Sequence, residues 1–172
     1  MTTKTVALAL GLATLLALPA LAADIYLVRH AEKQTDATED PDLTETGRLR
    51  AANLAVLFKS AGIGRVFTTD YKRTRETAVP VAEVAGVELE IYDPKALDAL
   101  AARLLESRDN ALVVGHSNTT PELVGLLGGE AGPPIVEAWE YDRLYLLLTD
   151  QGKVTQSILL HLPPSTEAPP GN

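Results

Sequence analysis

The chain of 172 residues is long enough for one domain with a real core and too short for two ordinary ones. Apolar residues make up 46 % of it, which excludes a disordered polymer, and a formal net charge of −8 sets the surface as a whole against nucleic acid and anionic membranes. There is no cysteine, so disulfides, thiolate catalysis and cysteine zinc sites are excluded, and any anionic substrate must be drawn in by a local basic pocket.

The chain starts with "MTTK", followed by an apolar run of 13 residues from Val6 to Leu18 and then by small residues at Ala20 and Ala22. This is the layout of a secretory signal, and the run is shorter than the roughly 20 residues of a membrane-spanning helix. The expectation is a signal peptide over 1–22, an exported protein (periplasmic or secreted), and no stable membrane insertion after cleavage. An uncleaved anchor is the alternative. At the other end, 163–172 reads "PPSTEAPPGN", with four prolines and no apolar periodicity, as expected for a flexible tail. The folded domain is then 23–162.

Within it, "DIYLVRH" (24–30) is a nearly continuous apolar run, the pattern of a strand buried on both faces. "DLTETGRLRAANLAVLFKSAGIG" (42–64) predicts a helix with Thr44 as N-cap, Gly62 as its close, and Leu49, Ala52, Val56 and Leu57 as its recurring apolar residues. "RVFTT" (65–69) predicts a second strand. "YKRTRETAVPVAEVAG" (71–86) predicts a second helix, kinked at Pro80 and ended by Gly86. "VELEIY" (87–92) is a third strand, and "DPKALDALAARLLES" (93–107) a third helix capped by Asp93 with Pro94 in its first turn. "NALVVGH" (110–116) is a fourth strand, "NTTPELVGLLGG" (118–129) a short helix, and "RLYLLLTDQGKVTQSILLHL" (143–162) a hairpin around "TDQGK".

Strand and helix alternate four times before the hairpin, so the expected fold class is α/β, a three-layer α/β/α sandwich with a largely parallel central sheet. In such sheets the ligand crevice lies outside the carboxyl ends of the strands. Two of the three histidines, His30 and His116, end predicted neighbouring strands and therefore fall at that edge. Arg29, a charge ending a buried strand, needs an anionic partner there. Thr68–Thr69 leads into the helix that carries Arg73. His161, in the last strand, reads as an ordinary half-buried strand histidine. Arg48, Arg50, Arg65, Arg103, Arg108 and Arg143 read as solvated surface charges, and Arg75 as a surface or salt-bridge residue.

"LVRHAEK", "LTETGRLRA", "TTDYKRTRETA" and "LVVGHSNTTPEL" resemble, in order and rough spacing, the motifs of the histidine phosphatase superfamily, also called the phosphoglycerate mutase-like group. The four segments span most of Ile25 to Leu123. The resemblance implies a covalent phosphohistidine mechanism without a cofactor or metal. His30 matches the family's nucleophile, Arg29 and Arg73 its phosphate-binding arginines, and His116 the second histidine that donates to the phosphoryl oxygens. The chemistry is coherent: neutral imidazole is nucleophilic at neutral pH, and guanidinium forks onto two phosphate oxygens at any relevant pH. Ser117 and Asn118 open the following helix, where backbone N–H groups favour an anion.

Departures from the family sharpen the expectation. Ala31 follows the Arg-His pair where many relatives have glycine; an ordinary backbone dihedral accommodates it. Ser117, not aspartate, follows His116, so the general acid is to be sought elsewhere: Asp93 after the third strand, or Glu32 on the loop leaving the first. No insertion of domain size separates the motifs. That suits hydrolysis of an open phosphate, on a small molecule or exposed on a larger one, more than a mutase that must exclude water. A mutase of the same fold, a phosphate-binding protein without turnover, and a metallohydrolase are the competing readings.

Overall fold

The computed structural model describes residues 22–35, 38–164 and 166, and the expected signal segment up to residue 21 lies outside them. The elements follow the expected order: β1 (Asp24–Arg29), α1 (Glu45–Phe58), β2 (Ile63–Thr68), α2 (Lys72–Ala85), β3 (Leu89–Ile91), α3 (Leu97–Leu105), β4 (Asn110–Gly115), α4 (Thr119–Leu126), β5 (Arg143–Asp150) and β6 (Lys153–His161). They build one six-stranded sheet in the order β3-β2-β4-β1-β5-β6. β3, β2, β4 and β1 run parallel, and the hairpin β5–β6 adds antiparallel to β1.

Side-chain alternation along the buried strands makes the layers. Ile25 and Leu27 of β1, with Ala111 and Val113 of β4, pack under Leu100 and Leu104 of α3 and Leu123 and Val124 of α4. Val28, Leu112 and Val114 face the opposite way, against Leu54 and Phe58 of α1 and Ala78 and Val81 of α2. The sandwich is therefore α1/α2, sheet, α3/α4. The chain leaves β1 toward one face and β4 toward the other, which opens the crevice between these two neighbouring strands. Their ends are level: Arg29 pairs with Gly115, and His30 N–H donates to the Gly115 carbonyl at 2.9 Å.

Several local details match the sequence. Thr44 caps α1, accepting from Gly47 N–H at 3.0 Å, and Gly86 closes α2 at φ 70°. α2 runs through Pro80. Gly47 is required by a close approach, since a Cβ there would lie 2.2 Å from the Glu32 carbonyl oxygen. Other expectations are corrected. α1 buries Ala51, Leu54, Ala55 and Phe58, leaving Leu49, Val56 and Leu57 exposed. α3 starts at Leu97 without a side-chain cap, because the Asp93 carboxylate accepts from Lys95 N–H at 2.9 Å in a turn ahead of it. Arg50 and Arg143 are buried rather than solvated, each against a carboxylate, and His161 is exposed and faces Asp142. Of the segment read as a tail, Pro164 accepts from Arg50 and Thr166 N–H donates to Asp142, while 167–172 lie outside the described residues. Among the described residues no helix is long and apolar enough to cross a membrane.

Candidate active site

Arg29, His30, Arg73 and His116 meet at the carboxyl edge of β1 and β4. Arg29 is the last residue of β1 and points to the α3/α4 side, 2 % exposed. The turn between α4 and β5 wraps its guanidinium. Nη1 donates to the Glu140 carbonyl and Nη2 to the Glu137 carbonyl, both at 2.8 Å, and Tyr141 lies flat beneath at 4.0 Å from its ring centre. Arg29 is thus locked before any ligand arrives.

His30 is held by its own backbone neighbour. Nδ1 lies 2.8 Å from the Ala31 carbonyl, an acceptor, so Nδ1 carries the proton and the Nε2 lone pair is left for the crevice. Ala31 has no positive φ, and its N–H donates to Thr77 Oγ1 at 2.9 Å. Thr77 in turn donates to the Arg73 carbonyl at 2.7 Å, so one hydroxyl ties the backbone after the histidine to the helix carrying the second arginine. The turn into α2 is fixed by Thr74, whose hydroxyl bonds Tyr71 and Thr69 oxygens.

Arg73 is mostly buried, stacks over Tyr71 at 4.4 Å, and approaches Asp40 at 3.5 Å. His116 stands edge-on to His30, ring centres 5.7 Å apart, and edge-on to Tyr71 at 5.3 Å. Gly115 before it lets Thr120 and Tyr92 close on the strand end, where a Cβ would lie 2.7 Å from Thr120 Oγ1. Arg29 Nε, Arg73 Nε and His116 Nε2 are buried with no hydrogen-bond partner among the described residues. Unpaired buried polar atoms are costly, and all three belong to residues whose charge or ring acts on His30, as an oxyanion site would require.

The sequence profile of the histidine phosphatase superfamily (branch 1) matches residues 25–94, a stretch that contains Arg29, His30 and Arg73. Over this stretch the chain is similar to the histidine phosphatase superfamily. It is 40 % identical over 91 residues to the probable phosphoglycerate mutase GpmB of Photorhabdus laumondii, covering 49 % of this chain and 41 % of that one. With the GpmB of Escherichia fergusonii the identity is 34 % over 107 residues, covering 58 % and 49 %. The chain spans less than half the length of these relatives. The fold is shared with the protein histidine phosphatase SixA complexed with tungstate, at TM-score 0.65, 19 % identity and coverage of 80 % of this chain and 96 % of that one. It is shared too with the mycobacterial glucosyl-3-phosphoglycerate phosphatase, at TM-score 0.62, 14 % identity and coverage of 82 % and 98 %.

The remaining residues expected at the site fare differently. Ser117 and Asn118 lie between His116 and α4, where Thr119 Oγ1 accepts from His116 N–H at 3.0 Å. Asp93 is exposed and lines a depression with Asp70, Tyr71 and Lys95, and His116 is not among the residues that line it. Glu32 is not available as an acid: Arg50 grips both its oxygens, at 2.7–3.1 Å. Glu140, Asp142 and His161 place ligand-type atoms within 4.8 Å of one another. Both Glu140 oxygens are already engaged, by Arg143 and by Val136 N–H, so this group reads as a brace behind Arg29 rather than a metal centre.

Burial pushes His30 down to about 3, with Arg29, His116 and Arg73 adding to the fall and the Ala31 carbonyl opposing it. Burial, then Arg73 and Arg29, push His116 down to about 4, opposed by Glu137. Both imidazoles are neutral at neutral pH; the nucleophile requires this, and a neutral His116 still has one N–H to donate. The sign for stability follows. The unfolded chain binds these protons near pH 6.5 and the native one does not, so their contribution is full above that value and is lost as pH falls toward 4 and 3. Urea midpoints should therefore fall between neutrality and pH 4 more steeply for the native sequence than for a His30→Gln/His116→Gln variant. Parallel curves would show that neither histidine is held neutral.

Proposed function

We propose that the domain is a metal-independent phosphatase that hydrolyses phosphomonoesters or phosphoramidates through a phosphohistidine on His30. The observation that carries this reading is the set of unpartnered buried nitrogens on Arg29, Arg73 and His116, three residues that all act on His30, whose Nδ1 is held by the Ala31 carbonyl so that Nε2 stays free. A phosphoryl group has little covalent chemistry to ask of a protein; it needs an in-line nucleophile and positive charge around its equatorial oxygens. His30 supplies the first, and the two guanidinium groups with His116 supply the second without Lewis-acid help. Ser117 and Asn118 add backbone N–H groups at the opening of α4.

Hydrolysis is favoured over phosphoryl return to the product, because the segments joining the motifs are short and no inserted cap covers the crevice among the described residues. The substrate is a phosphate on a small molecule or one exposed on a larger molecule. p-Nitrophenyl phosphate should be hydrolysed at the same rate with and without a strong chelator. Loss of activity on chelation would indicate a metallohydrolase, and phosphate binding without turnover a binding protein.

The same reading includes export. The run Val6–Leu18 supports cleavage after Ala22, and the domain is bonded from the next residue, Ala23 N–H donating to Thr149 Oγ1 at 3.0 Å. The mass of the exported chain should correspond to a start at Ala23; a membrane-bound chain from Met1 contradicts it.

A further inference from the structure

Leaving-group departure needs a proton unless the leaving group is a weak base. The carboxylates around the crevice are almost all committed. Glu32 is held by Arg50; Asp40 accepts from Lys72 N–H and approaches Arg73; Asp93 accepts from Lys95 N–H; Glu140 is held by Arg143. Glu137 differs. It sits in the turn that wraps Arg29, its carbonyl 2.8 Å from Arg29 Nη2, and its side chain is exposed. Its carboxylate makes no hydrogen bond or salt bridge to a described residue. Its backbone is fixed at the Arg29 guanidinium by the carbonyl bond, at the rim of the phosphate cage, and its charge is felt at both Arg29 and His116.

We propose that Glu137 is the general acid and base of the reaction, an assignment that rests on the phosphohistidine reading above. In the first step the His30 Nε2 lone pair forms the N–P bond, the P–O bond to the leaving group breaks, and the departing oxygen takes the proton from the Glu137 carboxylic acid. In the second step water attacks phosphorus, its proton passes to the Glu137 carboxylate, and the N–P bond breaks with its electron pair returning to Nε2. Substrate and water become alcohol and phosphate, and Glu137 ends protonated as it began.

The residue was missed in the sequence because it lies on no motif and is brought to the site by the hydrogen bonds of Arg29 to the 136–140 turn. The test uses the whole domain and two substrates, p-nitrophenyl phosphate and phenyl phosphate, the second having the more basic leaving group. Glu137→Gln should lower kcat/KM for phenyl phosphate by roughly 10²–10⁴-fold and for p-nitrophenyl phosphate far less. Since the exposed Glu137 supports no fold contact through its carboxylate, circular dichroism should be unchanged. With p-nitrophenyl phosphate the variant should also accumulate alkali-stable phosphoenzyme, because water loses its base. Equal losses on both substrates, or selective loss in Asp93→Asn instead, would overturn the assignment while leaving the nucleophile intact. Absence of phosphoenzyme in the native protein as well would instead sink the reading it rests on.

Discussion

His30→Ala is expected to lower turnover of p-nitrophenyl phosphate by roughly 10⁴–10⁶-fold, leaving only what positioning and charge achieve alone. The loss should come without loss of phosphate binding, since Arg29 and Arg73 remain. Arg29 in particular does not depend on the imidazole: its guanidinium is fixed by the Val136, Glu137 and Glu140 carbonyls and by Tyr141. Inorganic phosphate should therefore still protect the variant against thermal unfolding, by mass action on the folded state. A variant that keeps native turnover would remove His30 from the chemistry. One that no longer binds phosphate would show that the imidazole is part of the cage.

Arg73→Ala should lower kcat by roughly 10²–10³-fold, the scale of removing one charge that acts on the transition state. Lysine at this position should recover only part of it, because an ammonium cannot fork onto two oxygens and does not stack on Tyr71 as the guanidinium does at 4.4 Å. The fold should survive: the bonds that fix the start of α2 run through Thr74, Thr77 and the Arg73 backbone, not through its side chain. Steady-state kinetics with thermal melts checks both halves. Unchanged kcat with raised KM would assign Arg73 to ground-state binding alone.

The legible part of this protein was what local pattern encodes. Continuous apolar runs ending in Arg-His and Gly-His gave two buried strands, and the rule that ligands gather at their carboxyl ends brought His30 and His116 together. What stayed hidden depends on partners remote in sequence. α1 offers two apolar faces, and the one carrying Ala51, Leu54 and Phe58 is buried while the one carrying Leu49 and Val56 faces solvent. Arg50 looked like a surface charge because Glu32, its partner, lies on the loop that Gly47 allows to approach. Asp93 before Pro94 carried a helix-start signal, yet its carboxylate is satisfied by Lys95 N–H before the helix begins. Thr77 and Glu137 carried no signal of their own. The first matters because two backbone segments share its hydroxyl, the second because Arg29 seizes the turn it sits in.

The most direct measurement is rapid-quench trapping with phosphoryl-labelled p-nitrophenyl phosphate, followed by mapping of the labelled peptide. Phosphohistidine is stable in alkali and lost in acid, the reverse of phosphoserine. Alkali-stable, acid-labile label is expected on the peptide containing His30, formed and consumed at rates compatible with turnover. Turnover without label on that peptide, or label that survives acid, would contradict it.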